Sequence, residues 1–241
     1  TAIQRSCDVY FYEVARLLGV DRLSETAKKF GLGSKLFEGF IEERSGVVPN
    51  TKWKRKYIGK NWYLGETLHS GIGQVFFQST PMQLCLMTAQ IANGGFKLKP
   101  RIIAEGNNNK LKEYIDYKNA NPNDPLPLDL LVANFDLKPL FRNQENINFV
   151  KDAMYAATNE VGGTSYASRF TNQKFMFAGK TGSSQIKKFT ELQRELEVKQ
   201  EQLDYKDRDH ALYVAFAPYK DPKYAISVVV EHGGSGSKAA A

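Results

Sequence analysis

The chain is poor in cysteine, histidine and tryptophan, and it holds no long apolar run. Its two cysteines, Cys7 and Cys85, cannot build a disulfide framework, so they leave the redox compartment open. Its three histidines, His69, His210 and His232, are scattered without ligand spacing. They are expected at the surface or in loops, and no metal or cofactor is implied. No stretch reaches the roughly 20 apolar residues of a membrane-spanning helix, and no secretory leader is present. The chain opens on Thr1 and closes on Gly234-Ser235-Gly236-Ser237-Lys238 and three alanines, so both ends are read as cut from a longer protein. What is present is enough to fold: 241 residues, 42% of them hydrophobic, exclude global disorder. The net charge of +7 points to an acidic neighbour or to a solvated lysine-rich surface. Nucleic acid is not expected as a partner, because no set of stacking and basic motifs accompanies that charge. The run Lys52-Trp53-Lys54-Arg55-Lys56 is the one patch that could carry such binding.

Helical signals fill the first part of the chain. Tyr10, Phe11, Val14, Leu17 and Leu18 fall at helical spacing after Ser6-Cys7-Asp8, and Gly19 ends the segment. Ser6 or Asp8 could serve simply as its N-cap. A second helix is expected from Asp21 as cap, with Leu23, Ala27 and Phe30 inward and Gly31 as stop. Residues 37–62 read as irregular surface, and Trp62 to Gln74 as an ordered, glycine-punctuated loop. Thr80-Pro81-Met82-Gln83 has the cap, first-turn proline and glutamine of a capping box. Leu84, Met87 and Ile91 would line that helix, and Asn93-Gly94-Gly95 would close it. Glu105 to Leu140 reads as a polar excursion. Asn146 is expected to cap a further helix with Ile147, Val150 and Met154 inward, running out at Val161-Gly162-Gly163-Thr164.

Strand signals then take over. Phe175 to Ala178 reads as a buried strand that continues into Lys180-Thr181-Gly182-Ser183-Ser184 as the central strand of a sheet. Alternation puts Lys180 and Gly182 on one face and Thr181 and Ser183 on the other. A glycine inside a strand often marks a close approach to the backbone, here by a bound peptide, although an ordinary edge strand with a polar end reads the same way. Thr190 to Asp209 reads as a solvated helical insertion with Leu192, Leu196 and Leu203 at near-helical spacing. Ala211 to Phe216 and Tyr224 to Val230 form an expected antiparallel pair across Pro218–Pro222. The fold class is therefore α+β with an antiparallel sheet flanked by helices, and residues 1–241 form one domain.

Two sparse signals acquire meaning from their order. Ser6-x-Asp8 stands at a helix start, and Lys180-Thr181-Gly182 follows on a strand, matching the second and third of three motifs shared by penicillin-binding proteins and serine β-lactamases. Further matching stretches run through Ser6-Cys7-Asp8-Val9-Tyr10-Phe11-Tyr12, Asp21-Arg22-Leu23, Glu42-Glu43-Arg44-Ser45-Gly46 and Trp62-Tyr63-x-Gly65-Glu66-Thr67. They continue through Gly71-Ile72-Gly73-Gln74, Thr80-Pro81-x-Gln83, Ala92-Asn93-Gly94-Gly95, Gly162-Gly163-Thr164 and Ala215-Phe216-Ala217-Pro218-Tyr219. With them the chain resembles the transpeptidase domain of class B penicillin-binding proteins, most closely the elongation-type penicillin-binding protein 2 subgroup, where Ser-x-Asp replaces Ser-x-Asn. Departures are Ser183-Ser184 in place of Thr-Ala and Val75 in place of glycine.

The resemblance implies a penicillin-binding/β-lactamase-like fold, incomplete at both ends, with two N-terminal strands and a Ser-x-x-Lys upstream. It implies peptidoglycan D,D-transpeptidation through a serine acyl-enzyme, with D-Ala-D-Ala stem peptide as donor and β-lactams as inhibitors. Ser6 is implied as the proton relay, Asp8 as its organiser and Lys180 as the positive charge beside the catalytic lysine. Thr181 and Ser183 are implied to hold the donor carboxylate along the strand of Gly182 and Ser184, with the Ser183 N–H in the oxyanion hole. An inner-membrane anchor upstream, a periplasmic location and a membrane glycosyltransferase partner follow from the same likeness. Two Ser-x-x-Lys spacings within the chain, Ser184–Lys187 and Ser235–Lys238, are expected to be decoys. Competing readings are a serine β-lactamase or β-lactam sensor, and a non-catalytic peptidoglycan-binding module. Retention of Ser6, Asp8, Lys180, Thr181 and Ser183 together argues against the latter.

Overall fold

The computed structural model describes residues 1–37, 40–100, 117, 120–121, 138–143, 145–187 and 198–241, apart from the Gln173 side chain. Helices come first: α1 (Ala2–Arg5), α2 (Asp8–Leu18), α3 (Val20–Lys29), α4 (Thr51–Tyr57), α5 (Leu64–Ser70), α6 (Pro81–Ala92) and α7 (Glu145–Asn159). Strands β1 (Ala178–Ser184), β2 (His210–Ala217) and β3 (Tyr224–Val230) follow, and α8 (Gly236–Ala239) ends the chain. The sheet is antiparallel in the order β1-β2-β3, with Lys180 opposite Val214 and Val214 opposite Ser227. The α+β class read from the sequence is the one observed. Among the described residues no helix is long and apolar enough to cross a membrane.

The core forms where α6 and α7 lie on the sheet. Ile91 and Ala92 of α6, Ile147 and Met154 of α7, and Ala178 and Phe216 of the strands are buried together. Each large side chain so buried contributes about 1.5–3 kcal/mol. Helix α6 starts as its sequence dictates. The Thr80 hydroxyl accepts from the Gln83 N–H and the Gln83 Oε1 from the Thr80 N–H, both at 3.2 Å. Gln83 is fully buried, and its Nε2 donates to the Ser34 and Ser45 carbonyls at 2.7 and 2.8 Å. One side chain thus caps a helix and ties down a loop.

Several local expectations need correction. Helix α2 has Cys7 at its N-cap with no side-chain cap bond, so neither Ser6 nor Asp8 caps it. Tyr10 and Leu17 are exposed, because α2 is buried along Ala15, where α5 packs against it. A Cβ on Gly71 would fall 2.6 Å from the Ala15 Cβ, so glycine is what permits that approach. Asp21 lies inside the first turn of α3, and its carboxylate accepts from the Thr51 N–H and hydroxyl at the start of α4. The supposed irregular surface contains α4, capped by the Asn50 side chain at 2.7 Å from the Trp53 nitrogen. The supposed loop at Trp62–Gln74 contains α5, where the Glu66 carboxylate accepts from the Tyr63 N–H. Asn146 is already helical, and the Asn143 carboxamide accepts from the Glu145 N–H at 2.9 Å.

Gln173–Phe175 is a 3-10 turn with Phe175 exposed, and β1 begins only at Ala178. β1 is an edge strand among the described residues, and β2 is the central one. Most of Glu105–Leu140 lies outside the described residues, although Phe96 bridges Pro139. Residues 190–197 of the charged segment, with Leu192 and Leu196, also lie outside them. Leu203 sits between two 3-10 turns, Gln200–Gln202 and Tyr205–Asp207, rather than on an α-helix.

Candidate active site

The site begins with backbone geometry at Ser6. This residue ends α1 at φ 53, ψ 55, in the left-handed region that costs a residue with a Cβ about 1–2 kcal/mol. Such a conformation persists only where the surroundings impose it. Here the end of α1 imposes it, as the Ser6 and Cys7 N–H groups donate back to the Ile3 and Ala2 carbonyls at 3.2 and 3.0 Å. Gln4 anchors that turn: its buried side chain donates to Glu160 at 3.2 Å, and its carbonyl accepts from the Thr164 N–H at 3.2 Å. Helix α1 is thereby fixed to the end of α7. The Ser6 hydroxyl caps no helix and is free to face the sheet.

Lys180 meets it from β1. The ammonium donates to Ser6 Oγ at 2.9 Å, joining residues 174 apart in the chain. It also donates to the Thr181 carbonyl at 2.8 Å and to Thr181 Oγ1 at 3.3 Å. Thr181 Oγ1 in turn donates to Thr164 Oγ1 at 3.0 Å. All these partners are neutral oxygens. Burial pushes the Lys180 pKa down to about 8, and the Asp8 carboxylate opposes that shift by favouring the charged form. Asp8 itself is exposed in the first turn of α2, where the helix dipole favours a negative charge. The result is an ammonium poised near neutrality and one hydrogen bond from a hydroxyl, an arrangement suited to moving a proton.

The frame beneath is tight. A Cβ on Gly179 would fall 2.2 Å from the Tyr213 hydroxyl, which lies against β1. That hydroxyl donates to Ser165 Oγ at 3.1 Å and sits 3.1 Å from Thr158 Oγ1, in a fully buried trio. Burial also raises the Tyr213 pKa, so the phenol stays a neutral donor. A Cβ on Gly163 would fall 2.3 Å from the Ala157 carbonyl oxygen, so the glycine lets the chain turn closely enough to present Thr164.

The outer edge of β1 follows from pairing rules. In an antiparallel strand a residue's N–H and C=O point the same way, and alternate residues share an edge. The Thr181 carbonyl accepts from Lys180, and the Ser183 carbonyl accepts from Gln74 Nε2 at 3.3 Å. Both therefore face away from β2, and so do their N–H groups. This edge is open to an added strand among the described residues.

Ser6, Lys180 and Thr181 come together as the motif order requires, and the charge of Asp8 reaches Lys180. Ser183 and Ser184 are exposed at the outer end of β1. A Cβ on Gly182 would meet only the Leu212 side chain, 3.4 Å away, whereas a Cβ on Gly236 of α8 would fall 2.4 Å from the Gly182 carbonyl oxygen. Neither internal Ser-x-x-Lys spacing forms a pair: Lys187 binds Asp207 at 2.6 Å and Lys238 binds Glu201 at 2.8 Å. The histidines are less scattered than expected, since the His210 and His232 rings lie 5.0 Å apart, and the His232 N–H donates to His210 Nδ1. Among the described residues, no group of three or more His, Cys, Asp or Glu side chains could hold a metal ion. Sequence reasoning gave no role to Gln4, Gln74 or Thr164. Gln74 and Thr164 stood only as members of the matching stretches Gly71-Ile72-Gly73-Gln74 and Gly162-Gly163-Thr164, and the glycine pair before Thr164 marks a turn.

Known proteins resemble the chain over its whole length. The penicillin binding protein transpeptidase domain model matches residues 1–241. The chain is 32% identical over 240 residues to the peptidoglycan D,D-transpeptidase MrdA of Salmonella typhimurium (strain SL1344), covering 100% of this chain and 36% of that one. It is thus similar to about a third of that relative's length. Among solved structures it resembles Pseudomonas aeruginosa PBP2 in complex with WCK 5153, at 33% identity and TM-score 0.73, covering 99% of this chain and 44% of that one. It also resembles Helicobacter pylori PBP2 in its complex with MreC, at 31% identity and TM-score 0.73, covering 98% and 37%.

Proposed function

The chain belongs to the penicillin-binding protein transpeptidase family, and from that premise we propose that it carries the proton-relay and donor-binding half of a peptidoglycan D,D-transpeptidase site. The Lys180–Ser6 hydrogen bond at 2.9 Å carries this reading. The attacking serine and its lysine belong to a Ser-x-x-Lys segment outside residues 1–241. The segment's neutral lysine takes the serine proton as the serine oxygen attacks the carbonyl carbon of the penultimate D-Ala, the C–N bond breaks, and terminal D-Ala leaves as an amine. Ser6 passes the proton to that amine, and Asp8 and Lys180 fix the relay electrostatically. A second stem-peptide amine then attacks the ester, forming the cross-link and returning the proton to the serine.

The substrate lies as an added strand along the open edge of β1. Thr181 and Ser183 hold its carboxylate beside Gly182 and Ser184, and the Ser183 N–H joins the oxyanion hole. β-Lactams acylate the same serine. The intact protein is held at the periplasmic face of the inner membrane, residues 1–241 act there as one domain, and a membrane glycosyltransferase supplies the glycan strand. A scaffold partner of the MreC kind fits the same setting, since the Helicobacter pylori relative is described in complex with MreC.

Labelling with a fluorescent penicillin tests this. The full-length protein should label covalently, and residues 1–241 alone should not. Labelling of the isolated chain would overturn the assignment of the nucleophile.

A further inference from the structure

Gln74 lies in the turn that follows α5, and its reach across the molecule has no role in the chemistry described so far. Its Nε2 donates to the Ser183 carbonyl at 3.3 Å, between residues 109 apart. The turn is held in place from below. The Gln74 N–H donates to the His69 carbonyl at 3.0 Å and the Gly73 N–H to the Ser70 carbonyl at 3.1 Å. Close packing of Gly71 on Ala15 seats it against α2. The next residue, Val75, is held at φ 71, where a β-branched side chain is strained. Strain of this kind persists where the fold demands a particular placement. The backbone of the turn is therefore anchored, while the carboxamide makes one long, solvent-accessible bond to the edge of β1.

The Ser183 carbonyl faces the open edge, where an added peptide strand must donate a backbone N–H to it. Gln74 puts an amide N–H on that same acceptor. We propose that Gln74 is a displaceable stand-in for the donor peptide's backbone amide. It satisfies the Ser183 carbonyl in the free protein and yields when a ligand brings its own amide N–H to that position. Ligands with no such amide leave Gln74 where it is. The side chain thereby sets a threshold that amide-bearing ligands must pay to pair with the edge. This inference rests on the transpeptidase reading, because it places the donor strand on β1.

The test uses the full-length protein and two β-lactams with one bicyclic core. Benzylpenicillin carries an acylamino group, and penicillanic acid has hydrogen in its place. The readout is the ratio of their second-order acylation rate constants. Gln74→Ala should raise the benzylpenicillin to penicillanic acid ratio about three- to tenfold, the range expected from removing one competing hydrogen bond. Gln74→Met keeps the length of the side chain and loses the donor, and it should raise the ratio similarly. A ratio that is unchanged or lower in Gln74→Ala overturns the proposal, and so does a Gln74→Met ratio equal to that of the parent protein. If benzylpenicillin fails to acylate the parent protein at all, the transpeptidase reading falls and this proposal with it. Acylation with a flat ratio removes only the role of Gln74.

Discussion

Lys54 and Lys180 are both drawn out of solvent, yet their surroundings treat the charge in opposite ways. Lys54, 3% exposed on α4, places its ammonium 2.5 and 2.6 Å from the two Glu66 oxygens of α5. Tyr63, Trp62 and Phe76 add ring faces 4.6, 5.8 and 5.9 Å away. A buried ammonium paired to a carboxylate in an aromatic frame is fixed in position, and serves to clamp two helices. Lys180 has hydroxyls and a carbonyl around it, and the exposed Asp8 carboxylate acts on its charge without a direct bond. Its pKa falls to about 8, so its proton is within reach of chemistry near neutrality. The lesson is that depth of burial does not make a lysine functional; the kind of oxygen that faces it does.

The contrast can be broken at either end. The largest expected effect is at the clamp. Lys54→Met leaves Glu66 without its partner and should cost about 3–4 kcal/mol of stability, near the lower end for breaking a buried pair because Glu66 is partly solvated. Urea unfolding midpoints measure it, and Lys54→Met with Glu66→Leu should recover part of the loss. A loss under about 1 kcal/mol, the size of a surface pair, would erase the distinction drawn here.

At the cleft, Lys180→Ala should slow penicillin acylation of the full-length protein about 10²- to 10³-fold, as expected for removing one transition-state charge contact. Its unfolding midpoint should move little by comparison. The pH profile sharpens this further. Acylation should decline as pH rises through about 8, where Lys180 loses its proton, and Lys180→Arg should lack that limb because arginine keeps its charge. The sign for stability is the reverse. Between about 8 and the ordinary 10.5 the unfolded chain still holds a proton that the folded chain has released. The penalty for burying this lysine is therefore complete below about 8 and is relieved as pH climbs through that window. A pH-independent acylation rate between 7 and 10 would remove Lys180 from the mechanism. The smallest effect is expected at Val75. Replacing it with glycine removes the strain at φ 71 but adds unfolded-state entropy, for a net gain of about 0.5–1 kcal/mol in stability.

The sequence was most legible where a local rule acts alone. Thr80-Pro81-x-Gln83 opened α6 as its capping box requires, and the β2–β3 pair formed across its short connection. The motif order brought Lys180 to Ser6, which alternation along one strand could not have located. The sequence misled where distant groups decide. Asp21 and Ser6 have the composition of caps, but Thr51 claims the first and Lys180 the second. The α4–α5 pair was missed because its helices are short and its stabilising contact is an ion pair within an aromatic cluster, which leaves no apolar period to read. Gln4 was missed, and Gln74 stood only as one member of a matching stretch, since no spacing announces their long-range bonds.

If Ser6 and Lys180 work as one unit, a double-mutant cycle on acylation rate shows it most directly. Ser6→Ala and Lys180→Ala should each lower the rate constant, and the double variant should be no slower than the slower single one, as for residues that act together. Losses that multiply would mean that the two side chains act independently, and would contradict the account.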